Sequence, residues 1–116
     1  MGKPIAGDVV IVPFPFSDLS ETKRRPPLVL ANLKGDDVIL CMITSRAVAD
    51  TYAIALDDTD FAAGGLKVAS NVRPTRLFTA ESSIVSSSAG RIADRKLNEV
   101  VESLCAIMRE QQRGES

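Results

Sequence analysis

The chain has 116 residues, 45% of them hydrophobic and 25% charged, the size of one domain and the balance of a packed globular protein rather than a disordered tail. Fourteen Lys and Arg against fifteen Asp and Glu leave a net charge of -1, so no bulk positive field draws the molecule to nucleic acid or membrane, and any polyanion site must be a local patch. Histidine is absent, which excludes Ser-His-Asp and Cys-His nucleophile pairs, imidazole zinc ligands and imidazole general bases together.

Taken in chain order, Asp8 to Pro15 follows a Gly-Asp start with β-branched and aromatic residues and predicts a strand that the two prolines stop. Ser17 to Arg25 is polar and reads as a loop; Pro26 to Ala31 returns to apolar residues as the second strand. Turn chemistry from Asn32 to Asp36, around Gly35, leads into a third strand, Val38 to Thr44, and makes a hairpin. Thr51 to Leu56 reads as strand four, the acidic and glycine-rich Asp57 to Gly65 as loop, and Leu66 to Ala69 and Val72 to Thr79 as weaker strands. Ser82 to Ser88 is serine-rich and reads as a loop or edge. The period then changes. Leu97, Val100, Val101, Leu104, Ile107 and Met108 form one helical stripe with Asp94 as N-cap, and Gln111 to Ser116 should fray. Five to seven short strands and one closing helix predict a mainly β fold: a small, mostly antiparallel barrel or half-barrel whose open side the C-terminal helix covers.

Cys41 and Cys105 each sit in an apolar stretch, far apart in sequence, and read as reduced core residues rather than a redox or metal pair. No segment has signal-peptide form, and the apolar run Val9 to Phe16 is too short to span a bilayer, so the expected location is cytoplasmic, with no membrane partner. Asp50, Asp57, Asp58 and Asp60 cluster in sequence without calcium-loop spacing, and no metal is assigned to them. The basic run Lys23-Arg24-Arg25, at the mouth of the second strand, reads on charge alone as a solvated loop.

Its company changes that reading. Gly7-Asp8-Val9-Val10-Ile11-Val12-Pro13-Phe14-Pro15-Phe16-Ser17-Asp18-Leu19, then Lys23-Arg24-Arg25-Pro26-Pro27-Leu28-Val29-Leu30, Ile43-Thr44-Ser45-Arg46 and Gly90-Arg91-Ile92 before the final helix together resemble the PemK/MazF family of type II toxins, the mRNA interferases. The resemblance runs through nearly the whole chain, in order, and takes residues 1–116 as one toxin domain. It implies a small SH3-like barrel (PemK/MazF/CcdB-like) with a C-terminal helix, a homodimer, and a growth-inhibiting endoribonuclease without cofactors. It also implies a cognate antitoxin whose acidic segment fills the RNA groove, in a complex that binds DNA.

The family's catalytic pair, an arginine before a proline and a threonine ending the third strand, matches Arg25 and Thr44. The chemistry suits that pair. RNA can be cut by its own 2′-hydroxyl, so the protein needs to hold the phosphate in line and meet its growing negative charge with donors. A guanidinium presents five fixed donors and a threonine one rotatable hydroxyl. Arginine is a poor general base because it stays protonated; Glu21 is within reach as a proton acceptor but reads first as a surface carboxylate balancing Lys23, and it is not assigned a catalytic role. Judged without the family, Thr44 is a strand-ending β-former and Arg25 an amphipathic side chain over apolar surface.

Single-stranded RNA contact is expected by resemblance at Ser20, Glu21, Lys23 and Arg24, at Ser45 and Arg46, and at Thr75 and Arg76, with Arg46 and Arg76 stacking or pairing with bases. Phe14, Phe16 and Phe78 are the few aromatic candidates for a platform, and the first two read first as core or dimer packing. Three positions depart from the pattern: Arg24 doubles the guanidinium, Pro27 removes a backbone donor, and Thr75-Arg76 stands where Glu or Gln is common, which implies a different base preference. Two rival readings keep the barrel: a gyrase poison, disfavoured by the lack of Trp and the Gly-Glu-Ser ending, and a catalytically silent barrel that only binds its antitoxin.

Overall fold

The computed structural model describes residues 3–15, 22–45 and 50–114, with the backbone alone at 14, 15 and 22–24. Among the described residues eight strands run β1 (Asp8–Pro15), β2 (Thr22–Arg25), β3 (Leu28–Asn32), β4 (Asp37–Thr44), β5 (Ile54–Leu56), β6 (Phe61–Gly64), β7 (Ser70–Glu81) and β8 (Ser87–Ile92), followed by helix α1 (Asp94–Gln112). Single 3-10 turns occupy Asp58–Asp60 and Ser82–Ile84. The sheet order is β5-β7-β4-β3-β1-β8-β6, with β2 also paired to β1, and the ladders are antiparallel.

The near-continuous apolar runs of β1, β3 and β4 have a simple cause: the curved sheet is buried on both faces. Val9, Leu28, Cys41, Ile43, Leu56, Val72 and Ile92 face α1, where they enclose Val100 and pack with Leu97 and Leu104. Val10, Val12, Val29, Val38 and Leu40 form a second cluster on the other face, closed by Phe78, Ala80 and Val85. The mainly β half-barrel with a C-terminal helix is therefore the architecture the sequence pattern predicts. Among the described residues no helix is long and apolar enough to cross a membrane.

Several elements differ from expectation. The second apolar strand starts at Leu28, after Pro26 and Pro27, which have no N–H to give a ladder. Part of the expected first loop, Thr22–Arg25, is a strand, because its backbone pairs with β1 whatever its polarity; the rest of that loop lies outside the described residues. Thr51 and Tyr52 form a turn, so strand four is only Ile54–Leu56. The acidic stretch read as loop is a capped 3-10 turn followed by β6, while Leu66 to Ala69 is not a strand. The serine-rich stretch holds a 3-10 turn and the start of β8.

At the helix start, Ala93 is the N-cap and makes no side-chain cap; Asp94 is instead in the first turn, where its charge favours the helix dipole. The stripe is half-used: Val100 is buried, while Val101 and Met108 are exposed. Cys41 is a core residue as expected, but Cys105 is exposed, on the side of α1 where it borders Leu30, Ile39 and Leu77 of the sheet. The residues at the family-like ends of the chain form one clasp. Asp8 stands opposite Arg91 in the β1–β8 register, and the Arg91 guanidinium donates to the Asp8 carboxylate and the Ala6 carbonyl, both at 3.1 Å.

Candidate active site

Register decides where Arg25 and Thr44 stand. Along β1, Arg25 is opposite Val12 and Leu28 is opposite Val9, so β2 and β3 follow one register on either side of the Pro26–Pro27 break. On its other side, β3 pairs Leu28 with Cys41 and Val29 with Leu40. Carried back through the two prolines, that register brings Arg25 level with Thr44, the last residue of β4.

The two also share a face. Side chains alternate along a strand, so Thr44 follows Val38 and Leu40 on the side of the second cluster, to which Arg25's cross-strand neighbour Val12 also belongs. Both residues are half-buried. An arginine and a threonine from different strands thus occupy the same end and the same side of the sheet.

A second feature adjoins this corner. On β7, Asn71 is opposite Thr44 and Arg73 is opposite Met42, yet Leu77 is opposite the next residue, Cys41. Pro74, Thr75 and Arg76 therefore have no opposite number and bulge from the ladder. A proline has no N–H to lose and fits a bulge, and bulges re-aim side chains. The buried Cys41 thiol donates to the Arg73 carbonyl at 3.1 Å beside it, and burial pushes that thiol's pKa up to about 12. Thr75 and Arg76 are exposed.

Arg73 is held from the far side. Its Nε donates to Asp50 Oδ2 at 3.2 Å, while Asp50 Oδ1 accepts the Tyr52 N–H at 2.9 Å. The Asp50 carboxyl is held below its usual range by the Tyr52 N–H above all, then by the bond and charge of Arg73 and the charge of Arg76, against the opposing effect of burial. Asp50, Thr51, Tyr52, Arg73, Thr75 and Arg76 line an open hollow of about 440 Å³.

Of the residues expected to contact RNA, Lys23 and Arg24 lie on β2, opposite Phe14 and Pro13, and Ser45 is exposed just after β4. Ser20, Glu21 and Arg46 lie outside the described residues. Phe78 packs half-buried against the second cluster, which takes it away from a platform role; Phe16 and the side chain of Phe14 are outside the description. The acidic residues have structural work: Asp57 caps the 3-10 turn, Asp60 takes part in ion pairs and Asp50 holds Arg73. Among the described residues no group of three His, Cys, Asp or Glu side chains is arranged to hold a metal ion. The sequence reading grouped Asp50 with its acidic neighbours, placed Tyr52 in a strand and did not single out Arg73; the available signal was Pro74 inside a strand pattern, which marks a bulge.

Residues 5–108 match the family model of PemK-like, MazF-like toxins of type II toxin-antitoxin systems. The chain belongs to this family. No curated protein matches it significantly. Among solved structures, it is similar to MazF in a MazE-MazF crystal structure from Deinococcus radiodurans, at 22% identity over 93% of this chain and 97% of that one, with a TM-score of 0.72. It is also similar to MazF alone from the same organism, at 23% identity over 93% and 98%, TM-score 0.70. An endoribonuclease from Mycobacterial species matches at 17% identity over 93% of both chains, TM-score 0.69. At these identities the likeness is one of fold, and it agrees with the half-barrel and C-terminal helix described above.

Proposed function

We propose that this family member is an endoribonuclease that cuts single-stranded RNA, messenger RNA foremost, at a short specific sequence and without a metal. The observation that carries the proposal is the shared register and face of Arg25 and Thr44. Structural neighbours described as endoribonucleases support the reaction class.

In this reading the substrate's 2′-hydroxyl attacks phosphorus and the P–O5′ bond breaks, leaving a 2′,3′-cyclic phosphate and a 5′-hydroxyl. The 2′-hydroxyl proton passes to a base and the departing O5′ gains one. The Arg25 guanidinium and the Thr44 hydroxyl donate to the non-bridging oxygens as charge grows on them, a stabilisation worth about 100- to 1,000-fold in rate per donor. Because both residues sit on strands of a packed sheet, little reorganisation is needed at the moment of reaction. Arg24 is a neighbouring guanidinium, and Ser45, Thr75 and Arg76 extend the contact surface past the cut. The test is cleavage of a mixed RNA pool in EDTA by the intact chain and by its Arg25 and Thr44 variants.

Two partners belong to the same reading. A cognate antitoxin, as in the similar complexes from Deinococcus radiodurans and Mycobacterial species, covers the arginine-bearing face with an acidic segment. A second copy of the chain covers the apolar groove of about 830 Å³ between α1 and the sheet, lined by Leu30, Ile39, Leu77, Leu104 and Met108. Met108 is 59% exposed and Leu77 is 40% exposed, a patch whose burial favours association.

A further inference from the structure

We infer that the hollow beside the β7 bulge is a nucleotide subsite for single-stranded RNA, with Tyr52 as the base platform, Arg73 and Arg76 as donors to the base edge or phosphate, and Asp50 as the residue that positions them. The inference rests on the nuclease reading and adds to it the source of base selectivity.

Tyr52 is the chain's one tyrosine and is 40% exposed. Its backbone is fixed by the Tyr52 N–H on Asp50 Oδ1 and by the Ala53 N–H on the Asp50 carbonyl, 3.2 Å. An aromatic ring held at the surface by its own turn suits stacking, because every base has a π-face. The facing wall is cationic. Asp50 takes only the Nε of Arg73, whose two Nη groups remain further donors in the planar geometry that matches phosphate or a guanine edge. Arg76 adds a second guanidinium from the bulge. The Asp50 side chain is only 9% exposed, so it acts through Arg73 and the Tyr52 turn rather than by reading a base itself.

Position fits the chemistry. Arg73 lies two residues along β7 from Asn71, the partner of Thr44, so the hollow adjoins the corner proposed to hold the scissile phosphate. The bulge turns Thr75 and Arg76 out of the ladder toward it; in an unbroken strand one of each neighbouring pair would point into the core.

The test maps cut ends and measures kcat and KM on a mixed RNA pool for the intact chain and for Tyr52→Ala, Tyr52→Phe and Asp50→Asn. Thermal melts, antitoxin binding, and binding of a 2′-O-methylated oligonucleotide pool are measured alongside. Tyr52→Ala should raise KM and weaken oligonucleotide binding by about 5- to 150-fold, with kcat less affected. Tyr52→Phe should keep the KM and binding of the intact chain. Asp50→Asn, which releases Arg73, should relax one base position flanking the cut with the melt retained. Loss of oligonucleotide binding in Tyr52→Ala with no cutting by the intact chain would uphold the subsite and overturn the nuclease reading. A Tyr52→Ala chain with unchanged KM, binding and cut motif would overturn the subsite alone. A defect confined to antitoxin binding would assign the hollow to the protein partner and overturn the proposal.

Discussion

The Asp60 carboxylate lies 3.6 Å from the Lys96 ammonium, with both side chains about nine-tenths buried. It joins the 3-10 turn ahead of β6 to the first turn of α1. Asp60 also takes the Arg95 guanidinium at 3.0 Å and the Asp57 N–H at 2.9 Å, while Lys96 donates to the Ala55 carbonyl and to Glu99. Asp60→Ala leaves Lys96 its bonds to Glu99 and the Ala55 carbonyl but strips the Asp57 N–H and Arg95 of their acceptor, so it should cost about 1–3 kcal/mol of stability, read from urea midpoints at neutral pH.

The same group gives a pH dependence. Burial raises the Asp60 pKa, but the Asp57 N–H, the Arg95 bond and the Lys96 and Arg95 charges outweigh it, and the net shift is downward. A carboxyl depressed in the folded state contributes stability that is fully present above its unfolded value, about 3.9, and is lost as pH falls through the folded value. Urea midpoints should therefore drop below about pH 4 more steeply in the native chain than in Asp60→Asn. Parallel curves would remove Asp60 from the account of acid stability.

Gly64 and Gly90 stand opposite each other on β6 and β8. A Cβ on Gly90 would come 2.5 Å from the Ala63 carbonyl oxygen and 2.9 Å from the Gly65 nitrogen, both backbone atoms that cannot turn aside. Gly90→Ala should destabilise the fold by about 1–3 kcal/mol or separate β6 from β8, measurable as a lowered melting temperature.

The two thiols should react differently. Cys41 is fully buried, bonded to the Arg73 carbonyl and raised to about 12, whereas Cys105 is exposed. A thiol reagent at pH 8 should label Cys105 alone in the Met108→Glu monomer, and label it more slowly in the proposed native dimer, whose groove Cys105 lines. Both cysteines should be labelled in denaturant, with Cys105→Ser removing the native label. Rapid labelling of both would mean that the β4–β7 core opens near the bulge.

The proposed dimer face can be tested without disturbing the core. Met108→Glu puts a charge into the exposed apolar groove, and light scattering should show dimers becoming monomers. Unchanged mass would move the dimer contact elsewhere.

How much of this was legible in the sequence follows from which signals are local. The stripe of α1 and the apolar runs of β1, β3 and β4 carry their own period, so they were readable. Strand β6 was not, because Asp57 to Gly65 has turn composition, and only its pairing with β8 through two facing glycines makes the segment extended. The bulge at Pro74-Thr75-Arg76 is a mismatch between two strands, invisible in either alone apart from the proline. Arg25 and Thr44 were found by family likeness, since each is an ordinary strand residue by itself. Asp50 was grouped with acidic neighbours in sequence, while its partner Arg73 lies 23 positions away.

Arg25 and Thr44 are proposed to act on one phosphodiester. The most direct test is cleavage of a mixed RNA pool in EDTA by the intact chain, Arg25→Ala and Thr44→Ala, with melts to establish folding and end analysis of the products. The intact chain should cut and leave 2′,3′-cyclic phosphate and 5′-hydroxyl ends, and each folded variant should lose about 100-fold or more in rate. Equal cutting by all three chains, or cutting that stops in EDTA, would contradict the proposal.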